Sequence, residues 1–343
     1  MHQKKHLFTF FHISSHTPMK ELKQLTFWQQ CRFKGLYAIC YLLSLQPLWM
    51  LYFFSDFLYV IIFYIIRYRR GIVHKNLSAS FPDKSDTELS AIAHEFYHWF
   101  CDYLVETIKL TTISKEELCQ RMRFENVELP IRLLQENKPV MLFLGHYCNW
   151  EWVSSIPLHI NLPETAWQPM QIYHPLENPV VNLLFLRIRG RMGVQSVAMN
   201  DTLRALVRTR QKGTPPMCGF IADQTPNWLN IHCWAPFLNH PYTPFFIGCE
   251  RIAKKINGSV VYLDLRRERR GYYVARYELM TETPNEYPDY EVTQWYAQKL
   301  EQTINRQPAF WLWTHNRWKR TREEFYQRKG MEVPDAEPSI TRS

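Results

Sequence analysis

The chain has 343 residues, 46 % hydrophobic and 15 % aromatic, with a formal net charge of +9. That content supports one large or two small cored domains and excludes a disordered chain, while the positive excess points to an anionic partner: nucleic acid, a membrane surface or an acidic protein. The eight cysteines (31, 40, 101, 119, 148, 218, 233 and 249) contain no C-x-x-C pair, so they suggest neither a zinc site nor a disulfide framework but reduced thiols in a cytoplasm-facing domain.

Residues 1–18, "MHQKKHLFTFFHISSHTP", have a basic start, but histidines interrupt the apolar run and no small-residue cleavage site follows. "MKELKQ" at Met19 reads as the natural start. Residues 36–66 are the most hydrophobic stretch, split at Gln46-Pro47 and interrupted by Asp56. Leu48 to Ile66 is long enough to cross a hydrocarbon core, although Asp56 is costly in lipid. Lys20, Lys23, Arg32 and Lys34 precede it, and Arg67, Arg69, Arg70 and Lys75 follow. Positive charge at both ends suits a hairpin or a helix pair embedded in the interface. Spanning and one-sided embedding both fit, and a buried helix pair is the alternative to either.

Ser85 stands three residues before Glu88, a capping-box pattern, and Leu89, Ile92, Phe96, Trp99, Tyr103 and Leu104 follow at helical spacing. "PVMLFLG" (139–145) reads as a buried strand and "TAWQPMQIY" (165–173) as a weaker one. A helix runs from Asn178-Pro179 to Gly190, and another ends at Gly213. "PMCGFIAD" (216–223) is a second buried strand; a short helix before Gly258 leads into the strand "SVVYLDL". "RRERR" (266–270) reads as a loop before the strand at 271–279, and "YEVTQWYAQKLEQTINRQP" closes with a helix. The pattern predicts an α/β fold, a mixed sheet flanked by helices, preceded by an N-terminal hydrophobic membrane-anchoring helical segment.

The stretch 140–152, "VMLFLGHYCNWEW", ends a buried strand with His146, Asn149 and Glu151. Functional groups collect just beyond the carboxyl ends of strands in such sheets. Residues five apart on an ideal helix lie about 140° apart in projection, so His146 and Glu151 meet only across a turn. There the carboxylate accepts from one ring nitrogen and leaves the other to take a proton from a substrate hydroxyl. A histidine and a glutamate that merely sit at the surface are the plain alternative.

"GHYCNWEW" resembles the H-x-x-x-x-(D/E) block of the lysophospholipid acyltransferase superfamily, and more closely the G-H-x-x-N-W-E form of bacterial lipid A secondary (late) acyltransferases. "IYHPLENPVVNLLFLRIRGRMG", "FIADQTP" with "PFFIGCERIAKKINGSVV", and "PAFWLWTHNRWKR" are similar to three further blocks of that family, in the same order. The resemblance runs from about residue 20 to 322. It implies transfer of a fatty acyl chain from a thioester donor, usually acyl carrier protein, to a hydroxyl on a lipid A precursor at the cell inner membrane, with the catalytic domain facing the cytoplasm. A lysophospholipid or acylated aminolipid is the alternative acceptor. By resemblance His146 is the general base and Glu151 its partner. Asn149, Trp150, Arg189, Arg191, Asp223 and Gln224 are substrate-binding positions, and the two arginines hold an acceptor phosphate or the donor. No metal or cofactor is implied. Tyr147-Cys148 replaces a common aromatic-glycine pair, and His174 stands where arginine is frequent. The chain then divides into a basic leader (1–35), an embedded segment (36–70), an acyltransferase domain (71–322) and a polar tail (323–343).

Four rivals compete: Cys148 as a nucleophile with His146 as its base, a zinc site from His146, His232 and Cys233, nucleic-acid binding by charge alone, and a non-catalytic membrane scaffold. Trp311 and Trp313 are read as core. Arg251, Lys254, Lys255, Arg266, Arg267, Arg269 and Arg270 are expected to form a docking patch for the acidic carrier.

Overall fold

The computed structural model describes residues 19–334. The expectations for the 1–18 leader and for the end of the polar tail lie outside the described residues. Nine strands form: β1 Met122–Glu125, β2 Val140–Leu144, β3 Gln168–Tyr173, β4 Gln195–Ala198, β5 Pro216–Ile221, β6 Cys233–Phe237, β7 His240–Phe245, β8 Ser259–Arg269 and β9 Tyr272–Thr281, counted among the described residues. Seven make a mixed sheet in the order β1-β9-β8-β2-β5-β3-β4, and β6-β7 is a separate hairpin. Only β8-β9 is antiparallel within the large sheet; β2 lies parallel to both β5 and β8. Every residue of β2 is buried, as its unbroken apolar run requires of a strand covered on both faces.

The helices are α1 Met19–Gln24, α2 Phe27–Ser44, α3 Leu48–Val60, α4 Arg70–Ser80, α5 Asp86–Lys109, α6 Lys115–Arg121, α7 Glu128–Gln135, α8 Pro179–Arg189, α9 Thr202–Gln211, α10 Gly248–Ile256, α11 Glu291–Arg306 and α12 Arg322–Arg328. The capping box forms as the sequence predicts: Ser85 Oγ accepts from Glu88 N, and the Glu88 carboxylate accepts from Ser85 N at 2.8 Å. Asn178 caps α8, its Oδ1 accepting from Val180 N at 3.0 Å. The short strands β1 and β4 and the β6-β7 hairpin carry too few residues for a periodic signal, and only sheet pairing defines them. Helix α12 begins at the expected tail, and its Phe325 packs with Ile231 and Trp234.

Pro47 sits where α2 ends and α3 begins, so the hydrophobic stretch folds as a helix pair. The turn is fixed by Lys109 Nζ, which donates to the carbonyls of Ser44 (3.0 Å) and Gln46 (2.9 Å). One stripe of α3 and its π-helical continuation (Leu48, Leu51, Ser55, Tyr59, Phe63) is buried. The opposite stripe leaves Trp49 69 %, Phe53 70 % and Phe57 63 % exposed. Leu48–Ile65 is the one helix among the described residues long and apolar enough to cross a membrane. Asp56 has a partner: Arg270 Nη2 donates to its Oδ1 at 2.6 Å.

The "RRERR" run corrects one expectation and qualifies another. It is strand and turn rather than loop, because β8 extends through Arg269 against β9. Its arginines are also mostly spent on internal pairs. Arg266 forks onto Glu125 (2.5 and 3.0 Å), Arg267 reaches Asp102 (3.4 Å), and Arg270 clamps both Asp102 (2.6 Å) and Asp56. Lys254 likewise pairs with Glu250 and Asp289. Arg266, Arg267 and Arg270 thereby hold β8-β9 to β1, α3 and α5, while Arg251, Lys255 and Arg269 are exposed.

Candidate active site

His146 and Asp223 each stand two residues beyond the end of a central parallel strand. Leu144 of β2 is in register with Ile221 of β5, so the same register carries His146 opposite Asp223. Asp223 Oδ1 lies 2.6 Å from His146 Nδ1, and its Oδ2 accepts from His146 N (2.8 Å) and from the Trp311 indole Nε1 (2.8 Å). The Asp223 side chain is buried. Burial raises its carboxyl, but the adjacent His146 and the three hydrogen bonds outweigh burial and bring it down to about 2. An ionised acceptor at Nδ1 fixes the tautomer with the proton on Nδ1, which leaves Nε2 with its lone pair. Gln224 Nε2 lies 3.5 Å from that Nε2, and the Trp150 ring stands edge-on to the imidazole at 5.2 Å.

The tight approach of Asp223 explains Gly145. A Cβ there would lie 2.5 Å from Leu300 Cδ1 and 3.2 Å from Asp223 Oδ2. The C-terminal block closes the other side. Leu312 N donates to the His146 carbonyl (3.1 Å), Cys148 N donates to the Phe310 carbonyl (2.9 Å), and His315 Nε2 accepts from Thr225 N (3.1 Å). Trp311 and Trp313 are buried, and the sequence carried no sign that Trp311 would bind Asp223.

The hydrogen bond expected between His146 and Glu151 goes to Asp223 in this structure. Glu151 is forked by Arg189, Nε to Oε2 at 2.6 Å and Nη2 to Oε1 at 2.5 Å, with Tyr103 Oη donating at 3.3 Å. Burial raises the Glu151 carboxyl, but the Arg189 charge and hydrogen bonds, then Tyr103 and His146, leave it lowered. The carboxylate reached by the ring comes from the neighbouring strand because register brings it closer than a turn of five residues does.

Asn149 and Arg191 also depart from expectation. Asn149 is fully buried and spends its amide internally, Nδ2 on Glu106 Oε2 (2.7 Å) and Oδ1 on Trp152 N (3.0 Å). Arg191 Nη1 donates to the carbonyls of Leu110 (3.0 Å) and Ile113 (2.6 Å), closing the end of α5. His174 is exposed, with Nδ1 3.0 Å from the Pro175 carbonyl. Trp150, Gln224 and Asp223 therefore border His146, and Arg189 borders Glu151. Tyr103 and Glu106 were missed as polar partners. The available signal was that Glu106 shares the apolar face of α5 with Trp99 and Tyr103, an unusual place for a carboxylate.

Cys148 is fully buried with φ of 50°, and burial pushes its thiol well up. It thus occupies the left-handed turn position that the replaced glycine suits, and it lacks the exposure and lowered pKa of a nucleophile. Among the described residues no three His, Cys, Asp or Glu side chains converge on a metal position.

A family model described as bacterial lipid A biosynthesis acyltransferase matches residues 20–320. The chain is 23 % identical over 145 residues to the lipid A biosynthesis myristoyltransferase of Escherichia coli (strain K12), covering 42 % of this chain and 43 % of that protein. It is 22 % identical over 138 residues to lipid A biosynthesis acyltransferase 2 of Shigella flexneri, covering 40 % and 42 %. The chain thus spans less than half the length of the curated relatives it matches.

Proposed function

The chain belongs to the bacterial lipid A biosynthesis acyltransferase family, and from that premise we propose that it transfers a fatty acyl group from acyl carrier protein to a hydroxyl of a lipid A precursor, with His146 as general base and Asp223 as its orienting acid. His146 Nε2 takes the proton as the acceptor oxygen attacks the thioester carbonyl. The C–S bond then breaks, and the thiolate recovers the proton from the imidazolium. The single observation behind this reading is the His146–Asp223 hydrogen bond, which leaves Nε2 as the basic nitrogen. Trp150 and Gln224 border the reacting oxygen. Arg189 spends Nε and Nη2 on Glu151, so only its Nη1 is left to donate to an acceptor phosphate or the donor. The choice of carrier protein rests on the family and on the net charge of +9, not on residues 266–270.

The exposed aromatic stripe of α3 supports embedding in a membrane, and the inner membrane with a cytoplasmic active site follows from the family reading. One-sided embedding fits better than spanning. Helix α3 runs against α5 through Tyr52–Glu106, Ser55–Asp102 and Tyr59–His94 contacts, so a crossing α3 would draw a charged helix into hydrocarbon.

The test is acyl transfer by purified enzyme from acyl carrier protein and coenzyme A thioesters of matched length to a lipid A precursor, beside mass spectrometry of lipid A from cells with and without the gene. We expect carrier-dependent transfer that His146→Ala abolishes. Near-normal turnover by His146→Ala would overturn the mechanism, and transfer to lysophospholipid alone would overturn the acceptor.

A further inference from the structure

We propose that Glu106 is a positioning residue for the transfer step: its carboxylate sets the turn that aims His146 by holding Asn149. The inference rests on the acyl-transfer reading above and adds a residue to it. Glu106 is fully buried in α5. Four side chains from three segments converge on it. Tyr52 Oη of α3 donates to Oε1 (2.8 Å), while Asn149 Nδ2 (2.7 Å) and Tyr273 Oη of β9 (2.9 Å) donate to Oε2. The Glu106 carbonyl accepts from the Trp152 indole at 3.1 Å. One residue therefore grips the turn at both Asn149 and Trp152.

The grip reaches the chemistry through a short rigid path. Asn149 Oδ1 accepts from Trp152 N at 3.0 Å, so its amide cannot rotate without losing both bonds. Trp150, next in the chain, stands against the His146 ring at 5.2 Å. Between His146 and Asn149 the backbone passes through Cys148 at φ of 50°, a left-handed conformation that is unfavourable for an L residue and persists only when its surroundings hold it. Three donors meeting one side chain require an acceptor with several lone pairs, which a carboxylate supplies and an apolar side chain does not. Packing alone would be served better by a hydrocarbon, since an acidic group buried without a cation bonded to it is costly. Tyr52 adds the apolar hairpin to the same cluster, so the seat of α3 and the turn share one anchor.

The contact can be inverted chemically, and that gives the test. In Asn149→Asp, assayed at pH 8.5 where Glu106 is ionised, two carboxylates face each other at the 2.7 Å contact. Adding Glu106→Gln restores a donor–acceptor pair: the introduced amide donates one N–H to the new carboxylate and the other to Tyr273 Oη, which turns to accept, and Trp152 N stays satisfied. We would measure kcat, donor KM and the thermal midpoint for the full-length enzyme, for Asn149→Asp, for Glu106→Gln and for the double variant. Expected are a fall in kcat of about 100-fold for Asn149→Asp, recovery to within about 10-fold of wild type in the double variant, and donor KM within about 3-fold throughout. A folded double variant no more active than Asn149→Asp, or a folded Asn149→Asp at wild-type kcat, overturns the proposal. If Asn149→Asp does not fold, the double variant decides alone, by folding with activity or without it. His146→Ala is assayed alongside, and its full activity would sink the acyl-transfer reading rather than the role of Glu106.

Discussion

Replacing Asp223 by Asn tests the assignment of the His146 partner directly. The carboxylate takes three donors: the His146 ring, His146 N and Trp311 Nε1. Asparagine keeps one oxygen. If that oxygen serves the backbone and indole, the amide NH2 faces Nδ1 and donates to it, which moves the ring proton to Nε2 and removes the base. The alternative orientation turns the NH2 into two N–H groups and loses both bonds. The electrostatic loss has a measure in the structure: the charged form of Asp223 is favoured enough, despite burial, to shift its carboxyl from 3.8 to about 2, or roughly 2 kcal/mol. Removing a general base costs about 10²–10⁴-fold, and the tautomer and charge losses together place the expected fall in kcat near 10³-fold, about 4 kcal/mol. Single-turnover acyl transfer measures the step, and ¹⁵N chemical shifts of the imidazole report the tautomer. Asp223→Asn within about 5-fold of wild type, with Glu151→Gln inactive, would refute the reasoning and return the partner role to Glu151.

Cys148→Gly is expected to change stability by less than about 1 kcal/mol, because relief of the left-handed backbone offsets the lost burial of a small side chain. It should stay active, and loss of activity in the variant together with an acyl-thioester trapped on Cys148 of the wild-type enzyme would contradict this. Arg270→Gln leaves the buried Asp102 with Arg267 and Ser55, so thermal unfolding should show about 1–3 kcal/mol of lost stability, discounted for the partial exposure of Arg270. Unchanged stability with a raised KM for the carrier donor would instead revive the docking patch. Glu106 is pushed by burial and then by Asp102 from 4.5 up to about 7, against the hydrogen bonds of Tyr52, Tyr273 and Asn149. A raised carboxyl favours the fold when protonated, so its contribution is complete below about pH 4.5 and is lost as pH rises through 7, on the order of 3 kcal/mol. The difference in thermal midpoint between wild type and Glu106→Gln should therefore change between pH 5.5 and 8.5, and a constant difference would count against the titration.

The sequence by itself determined the elements with strong local signals. The unbroken apolar runs of β2 and β5, the caps at Ser85 and Asn178, and the split at Pro47 arise from interactions within a few residues, and each formed where the pattern placed it. It also placed His146 beyond one strand and Asp223 at the end of another, and the ordered blocks identified the family. The partner of His146 was decided only by the sheet. Parallel pairing of β2 with β5 aligns two residues 77 positions apart, and no local spacing encodes which strands become neighbours. The same holds for Glu151, whose carboxylate was legible but whose guanidinium partner comes from the end of α8, 38 positions on. Residues 266–270 read as free charge because composition counts cations without their partners. Only the packing of β8-β9 on α3, α5 and β1 set Asp56, Asp102 and Glu125 against them, since ion pairing depends on where long side chains end rather than on where they begin.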